Sequence, residues 1–327
     1  MNDTTEIGRV APVVGYGPTP RRGASDRKAT PGVDWPAIVA VGVTLVLWAS
    51  AFVAIRAVMP SLSPGAMAVG RLTVAFVVLS VIIGIRRPSL PRGNAMVQAT
   101  AAGVLWFGLY NLALNAAERT VDAGTAALLV ALAPILIAAL AGFFLKEGFP
   151  PRLFIGCGLA LAGTAVIATA SGSTGGGGGL VGVSLCLAAA FLYAAGVTLQ
   201  KPALRHADAL AITWWGCGIG LLTCLPFVPT ALAELPHAPS AAIAWIVFLG
   251  AFPTALAFTL WAFALRRMSA GRLGSTSYLV PPFAVLLGWL LLGEVPALLA
   301  LGGGVVSIAG VAVARSHPRK PQPVVVA

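Results

Sequence analysis

Long apolar stretches recur along the whole chain and are separated by short polar joints, several of which contain proline. Each stretch is about 20 residues long, the length that a helix needs to cross the hydrocarbon core of a bilayer. Helices are expected because lipid offers no hydrogen-bond partners to open backbone groups. The pattern therefore predicts an all-α integral membrane protein with ten transmembrane helices, at 37–58, 64–85, 95–116, 122–145, 152–170, 180–200, 208–230, 240–264, 271–293 and 296–314.

The composition excludes a soluble protein. Hydrophobic residues make up 58% of the 327 residues and charged residues only 9%, whereas a soluble domain carries about 25% charged residues. The four cysteines and three histidines show no metal-ligand spacing, and the glycine tract at 175–179 lacks the lysine of a phosphate-binding loop. We therefore expect no cofactor, no metal and no enzymatic activity.

The formal net charge of +11 would suggest a nucleic-acid partner in a soluble protein. Here the basic residues lie in the joints, which indicates membrane topology instead, so no nucleic acid is expected. With the N-terminus in the cytoplasm, every Lys and Arg except Arg56, Arg71 and Arg119 falls on the cytoplasmic side, as the positive-inside rule requires. The sequence predicts a multi-pass protein of the plasma membrane with both termini cytoplasmic.

The two halves of the chain match each other at an offset of 147 residues. The aligned pairs include Pro134 with Pro281, Glu147 with Glu294 and Gly156 with Gly303. Each half holds five predicted spans, an odd number, so the second copy enters the membrane in the opposite orientation. Inverted repeats of this kind underlie alternating access in many secondary transporters. The predicted units are a disordered tail at 1–36, a first five-helix repeat at 37–170, a Gly/Ser-rich linker at 171–179, a second five-helix repeat at 180–315 and a cytoplasmic tail at 316–327.

Several motifs resemble the drug/metabolite transporter superfamily, in its ten-helix branch with two EamA domains. The residues that carry the resemblance are Trp48-Ala-Ser-Ala-Phe52 with Arg56, Gly70-Arg71-Leu72, Asp122-Ala-Gly124 with Pro134 and Leu145-Lys-Glu147, and then Ser269-Ala-Gly271, Pro281 and Leu292-Gly-Glu294. The resemblance covers roughly residues 37–315. It implies an efflux permease for small metabolites, amino acids or drug-like compounds. The direction of transport and its coupling rest on this resemblance.

Arg71 is the sharpest candidate for a functional residue, because it lies several residues inside the second span. An ionised side chain at the centre of a membrane helix costs about 2.5–3.5 kcal/mol on insertion scales, so it usually faces a cavity or a partner. The alternative is that Arg71 snorkels to the headgroups, and we favour that interpretation for Arg56 at the end of the first span. Tyr193 and Lys201 match Trp48 and Arg56 only at an offset of 145 residues.

Aromatic and amide side chains near the middle of the spans complete the predicted substrate site. Asn111 and Asn115 share one helical face and either join helices or contact the substrate. An aromatic lining suits apolar or amino-acid-like solutes, with plain packing as the alternative for each ring. The predicted substrate-binding residues are Arg71, Asn111, Asn115, Trp48, Trp106, Tyr110 and Tyr193. Trp245 and Trp261 are expected in the interfacial belts.

Three further residues have predicted roles in conformational change or coupling. Glu118 is the candidate carboxylate for proton coupling, and a loop ion pair with Arg119 or another neighbour is the competing interpretation. Pro134 and Pro281 interrupt the fourth and ninth spans, where a missing backbone donor permits a bend. They are candidate hinges, with a static kink as the alternative.

The sequence as a whole predicts a secondary transporter that exports a small molecule across the lipid bilayer by alternating access, with proton coupling. The alternative is a membrane-embedded enzyme that acts on a lipid substrate. Such an enzyme would need clustered carboxylates, histidines or a nucleophile near one interface, and the sequence offers none. A homodimer is the candidate assembly.

Overall fold

The computed structural model describes residues 34–144, 178–294 and 297–315, together with residues 155, 156, 158, 159, 162, 163 and 166. The predicted span at 152–170 therefore lies largely outside the described residues, as do the tails and most of the linker. The long helices are α1 (Trp35–Val58), α2 (Pro64–Arg86), α3 (Asn94–Ala117), α4 (Ala123–Phe144), α5 (Gly178–Ala203), α6 (Ala209–Thr223), α7 (Ser240–Arg267), α8 (270–292) and α9 (Leu298–Arg315). Helix α5 begins two residues inside the predicted linker.

Six of these helices, α1 to α5 and α7, are long and apolar enough to cross a membrane. A seventh span is formed if α6 is taken with its continuation Leu225–His237, from which it is bent by 54°. Shorter apolar helices lie within α8 and α9. The described residues thus form an all-helical, multi-pass membrane protein, and the count of ten spans stays a prediction.

Polar caps define where several helices begin and end. The side chains of Ser63, Asp122 and Asp208 accept hydrogen bonds from backbone N–H groups in the first turns of α2, α4 and α6, which otherwise have no partner. Helix α8 ends at Gly293, whose φ of 68° is the left-handed conformation that glycine adopts without strain. These local signals fix the joints between the apolar stretches.

Most of the packing between helices joins a helix of the first half of the chain to a helix of the second half. Helix α1 packs against α7 and α8 of the second half, and α5 packs in the same way against α3 and α4 of the first. The Thr44 hydroxyl of α1 donates to the Ala40 carbonyl at 2.8 Å and also lies 3.3 Å from the Ala257 carbonyl oxygen of α7, a contact between residues 213 positions apart. The packing is therefore the one expected if the two repeats are related by a two-fold operation that swaps α1 with α5, α3 with α7 and α4 with α8.

Irregular turns repeat at the same offset as the sequence. A π-helical segment occupies Gly103–Leu109 in α3 and another occupies Gly250–Leu256 in α7, 147 positions later. Helix α4 is interrupted at 131–132, just before Pro134, and α8 passes through a 3₁₀ turn at Ser277–Leu279, just before Pro281. Since π segments are rare and are often found at functional sites, their pairing indicates that a functional site lies along α3 and α7.

Candidate substrate cavity and its two closed ends

An aromatic cluster occupies the middle of the bundle, where helices of both repeats meet. The ring of Trp48 in α1 lies 4.6 Å from Trp261, 5.6 Å from Phe258, 5.8 Å from Tyr193 and 6.1 Å from Trp106, centroid to centroid. Trp106 and Tyr193 are stacked at 5.1 Å. Edge-to-face and stacked pairs of this kind add about 0.5–1.5 kcal/mol each beyond their buried area. We call these five residues the aromatic cluster.

A narrow cavity of about 40 Å³ adjoins the aromatic cluster. Apart from the rings, its lining includes Ile55, Leu114 and Ala127, which lie near the ends of α1 and α3 and the beginning of α4. The cavity thus extends from the cluster towards one end of the bundle. A volume of this size holds only about two or three water molecules, so a larger solute needs the surrounding side chains or helices to move.

Among the described residues, Arg71 is the only charged one in the lining of this cavity. It is 3% exposed, so the structure places it inside the bundle rather than at the headgroups. Its Nε and Nη2 atoms donate to the hydroxyl of Thr254, at 3.2 and 3.0 Å, and no carboxylate of the described residues lies within ion-pair distance of it. A buried cation that is solvated by one hydroxyl leaves part of its hydrogen-bonding capacity unused.

Thr254 is held in position by the π segment of α7. Its hydroxyl donates to the Leu249 carbonyl at 2.7 Å, which leaves both lone pairs of the oxygen for the two N–H groups of Arg71. The carbonyl it satisfies is five residues back, at the point where the helix is wound more widely. The irregular winding therefore places in front of Arg71 a hydroxyl that donates one hydrogen bond and accepts two.

Asn111 and Asn115, predicted to bind substrate, lie outside the cavity lining. Both are fully buried. The Asn111 amide donates to the Phe107 carbonyl in the π segment of α3, and the Asn115 amide donates to the Pro64 carbonyl at the beginning of α2. The structure thus favours the alternative interpretation, that these amides hold the backbone and join helices, over direct contact with a solute in this conformation.

At one end of the bundle, Arg56 joins the two halves of the chain. Its Nε lies 2.6 Å from a carboxylate oxygen of Glu294, and its Nη1 donates to the Glu118 carbonyl at 2.6 Å. Arg56 therefore forms an ion pair at the end of its helix, where the sequence placed it, and its side chain stays partly exposed there. The same end carries a surface depression lined by Arg56, Arg119 and Glu294.

Glu118 is buried at this end, with 0% of its surface exposed. Neither carboxylate oxygen has a hydrogen-bond partner among the described residues. The predicted ion pair with Arg119 is not formed there, because the Arg119 guanidinium donates to the Leu62 carbonyl instead. Burial is the main cause that raises the pKa of Glu118 well above its ordinary value, against the opposing influence of Arg56.

A related contact lies at the opposite end of the bundle. Lys201, near the end of α5, donates to the Leu265 carbonyl at 2.7 Å and to the Met268 carbonyl, both at the end of α7. A basic side chain thus joins the two halves of the chain at each end of the bundle, Arg56 from α1 and Lys201 from α5. These are the two basic residues that the sequence aligned at an offset of 145.

The sequence interpretation brought together Trp48, Trp106, Tyr110, Tyr193 and Arg71, all of which line the cavity. Three residues of α7 that lie at the site, Thr254, Phe258 and Trp261, were not among the predicted ones. Trp261, assigned to the interfacial belt, is fully buried in the aromatic cluster, and that assignment is wrong. Thr254, Phe258 and Trp261 recur at spacings of four and three, a helical stripe that could have identified the face of α7 turned towards the site.

Comparison with known proteins now places this architecture in a family. The model of the EamA-like transporter family matches the chain twice, over residues 35–169 and 180–316. The chain belongs to the EamA-like transporter family. It is therefore a multi-pass membrane transporter of small molecules, as its motifs indicated.

Two curated relatives match most of the chain. A protein of Streptantibioticus cattleyicolor named as a probable terminal-alkyne amino-acid exporter is 36% identical over 84% of this chain and 92% of its own length. The uncharacterized transporter YdfC of Bacillus subtilis is 32% identical over 81% of this chain and 86% of its own length.

A solved structure shares the fold. A crystal structure superposes with a TM-score of 0.59, covering 85% of this chain and 96% of that chain at 21% sequence identity. A likeness at this identity concerns the arrangement of helices and not the substrate.

Proposed function

We propose that this protein exports a small amino acid, or a related carboxylate metabolite, by alternating access through the cavity beside the aromatic cluster. The observation that carries the proposal is Arg71, a buried cation with no carboxylate partner among the described residues. Its Nη1 makes no hydrogen bond with those residues. A carboxylate would accept hydrogen bonds from the guanidinium and neutralise it.

The surroundings of Arg71 favour an amino acid over other anions. The remaining lining is almost entirely apolar or aromatic, which suits a small apolar side chain. The electron-rich faces of the rings suit an ammonium group. A relative named as a probable terminal-alkyne amino-acid exporter supports a solute of this chemistry.

The orientation in the membrane follows from the loop charges. We infer that the Arg56 end faces outwards and the Lys201 end faces the cytoplasm, with both termini cytoplasmic and the protein in the plasma membrane. Glu118 is then reached by protons from outside when that end opens. An exchange of one substrate for protons through Glu118, and assembly as a homodimer, stay predictions. The lipid-enzyme alternative finds no support in the family or in the relatives.

The proposed substrate class is tested by efflux from proteoliposomes loaded with three compounds. These are a terminal-alkyne amino acid, its carboxamide and the amine that lacks the carboxyl group. We expect efflux of the amino acid at a rate about 10–100-fold above that of the other two, since a hydrogen-bonded charge contributes about 1.5–3 kcal/mol. Equal efflux of all three would remove the carboxylate from the proposal.

Vesicles without protein measure leakage, and Trp106→Ala provides a second comparison. Trp106 is 1% exposed and lies against the four other rings of the aromatic cluster. Its truncation is expected to weaken selection among apolar side chains more than the requirement for the carboxylate. Retention of both selectivities in Trp106→Ala would place the substrate elsewhere.

We further propose that Pro134 and Pro281 are hinges. Each stands in the first turn of the helical segment that follows an interruption, where a missing N–H costs nothing. In Pro134→Ala the new N–H can extend the hydrogen-bond ladder of α4 across the break. We expect a several-fold lower maximal transport rate with substrate affinity changed less than about twofold, measured by initial rates of efflux and by equilibrium binding. An equal loss in both quantities would assign the proline to the binding site.

A further inference from the structure

We propose that the Arg56–Glu294 ion pair is the extracellular gate of the transporter, and that Glu118, when ionised, opens it by competing for the Arg56 guanidinium. The proposal rests on the proposed function for its direction, since it takes the Arg56 end as the outer one. It names the side chains that join the protonation of the carrier to its outer gate.

The geometry places the ion pair between water and the cavity. Ile55 lines the cavity, and its neighbour Arg56 lines the surface depression at the same end. The pair joins the end of α1 to the residue that follows the glycine cap of α8, at 2.6 Å. Since α1 and α8 belong to different repeats, separation of the two side chains is required before these helix ends can part.

Glu118 is placed to compete because its backbone already holds the same guanidinium. The Nη1 atom of Arg56 donates to the Glu118 carbonyl at 2.6 Å, while both carboxylate oxygens of Glu118 are buried and have no hydrogen-bond partner among the residues that the structure describes. Glu294 uses one oxygen for Arg56, and its other oxygen has no partner within the described part of the chain. The Arg56 guanidinium therefore contacts two acidic residues. It pairs with the carboxylate of Glu294, whereas it contacts Glu118 through the backbone carbonyl.

Other charged and titratable groups act on Glu118 from each helix around it. Arg56 and Arg71 favour its ionised form, and Glu294 and Asp122 oppose it. Two further titratable groups that interact with its charge are Tyr110 of α3 and Cys186 of α5. The two largest of these charge influences, from Arg56 and Glu294, come from the partners of the gate itself.

The direction in which protonation moves the gate follows from which form of Glu118, protonated or ionised, can be buried. In the closed arrangement the carboxyl group is enclosed and its pKa is raised, so it holds a proton and leaves Arg56 to Glu294. When Glu118 is ionised it attracts Arg56, and the pair with Glu294 weakens. Uptake of a proton from outside therefore closes the outer gate behind a released substrate, which is the order that exchange of substrate for protons requires.

The test measures opening directly, with no substrate present. A cysteine at Ala127, which lines the cavity, is introduced into a chain whose four native cysteines are alanine. Its modification by a membrane-impermeant thiol reagent from outside is followed at low and high external pH. A second reporter, Thr120→Cys at an exposed position, corrects for the reactivity of the reagent.

We expect two substitutions to change the corrected rate of thiol modification at position 127 in opposite directions. Glu118→Gln should lower labelling at high pH about tenfold and abolish its pH dependence, whereas Glu294→Gln should raise labelling about tenfold at low pH. Arg119→Gln, which removes another arginine of the same depression, should change neither. Misfolding cannot produce this result, because a misfolded protein gains exposure in every variant.

Labelling that does not depend on pH in the unsubstituted carrier, or a change of the same sign in Glu118→Gln and Glu294→Gln, would overturn the proposal. The outcome is separate from that of the substrate test. A carrier that does not export amino acids can still show the opposite shifts, and one that exports them can lack the shifts.

Discussion

Replacement of Arg71 by methionine is expected to abolish export while the protein stays folded. The substrate loses the charge that would bind its carboxylate, which costs about 2–3 kcal/mol, or roughly 100-fold in transport efficiency. The fold does not depend on Arg71 in the same way. Thr254 keeps its hydrogen bond to the Leu249 carbonyl, so no buried donor is left without an acceptor. The measurement is substrate efflux beside thermal unfolding in detergent.

We expect the Arg71→Met protein to be at least as stable as the unsubstituted one, because replacing a buried charge by an apolar side chain of similar volume is often neutral or stabilising. Arg71→Lys is the matched variant. It keeps the charge without the planar pair of donors, so it should retain part of the transport. Full transport in Arg71→Met, or its collapse on purification, would show that Arg71 serves the fold and not the substrate.

Replacement of Gly250 by alanine is expected to remove most transport by a different route. The added Cβ would lie 2.5 Å from Val74 Cβ and 2.6 Å from the Arg71 carbonyl oxygen. Because backbone atoms cannot rotate away, α7 must shift from α2. Thr254, one turn further along α7, shifts with it and loses its position in front of Arg71. Overpacking of this kind costs about 1–3 kcal/mol.

Gly42→Ala is the control for this substitution. Gly42 is also helical, and a Cβ there would meet nothing within 4 Å. Since alanine is the better helix former, Gly42→Ala should leave export unchanged and stability equal or slightly higher. Unfolding by intrinsic fluorescence and efflux on the same preparations compare the two variants. Equal behaviour of Gly250→Ala and Gly42→Ala would mean that the close approach of α2 and α7 is not needed for transport.

The family and the positions of most helices could be predicted because they depend on local signals. Apolar length sets the spans, proline and the caps set the joints, and the offset of 147 residues sets the relation between the halves. The same signals favoured an Arg71 that faces a cavity over one that snorkels to the headgroups, since a charge in the middle of an apolar helix has few stable places.

Side-chain partners across the two repeats could not be predicted from one sequence. The pairing of Arg56 with Glu294 spans 238 positions, and no local pattern connects them. Trp261 was assigned to a membrane interface because its place near a helix end resembles a belt position, yet packing of α1 against α7 encloses it. The π segments were missed as well, since Gly103–Leu109 contains no proline to announce an irregular turn.

The packing of α1 against helices of the second repeat also has a consequence for biogenesis. When the ribosome delivers α1 to the membrane, its packing partners in α7 have not been synthesised. Ala257, whose carbonyl oxygen Thr44 contacts, lies 213 residues further along the chain. At about 5–20 residues per second, synthesis of that stretch takes roughly 10–40 s. During this interval the first helix must be sheltered by lipid or by the insertion machinery, so the second half completes the first as it emerges.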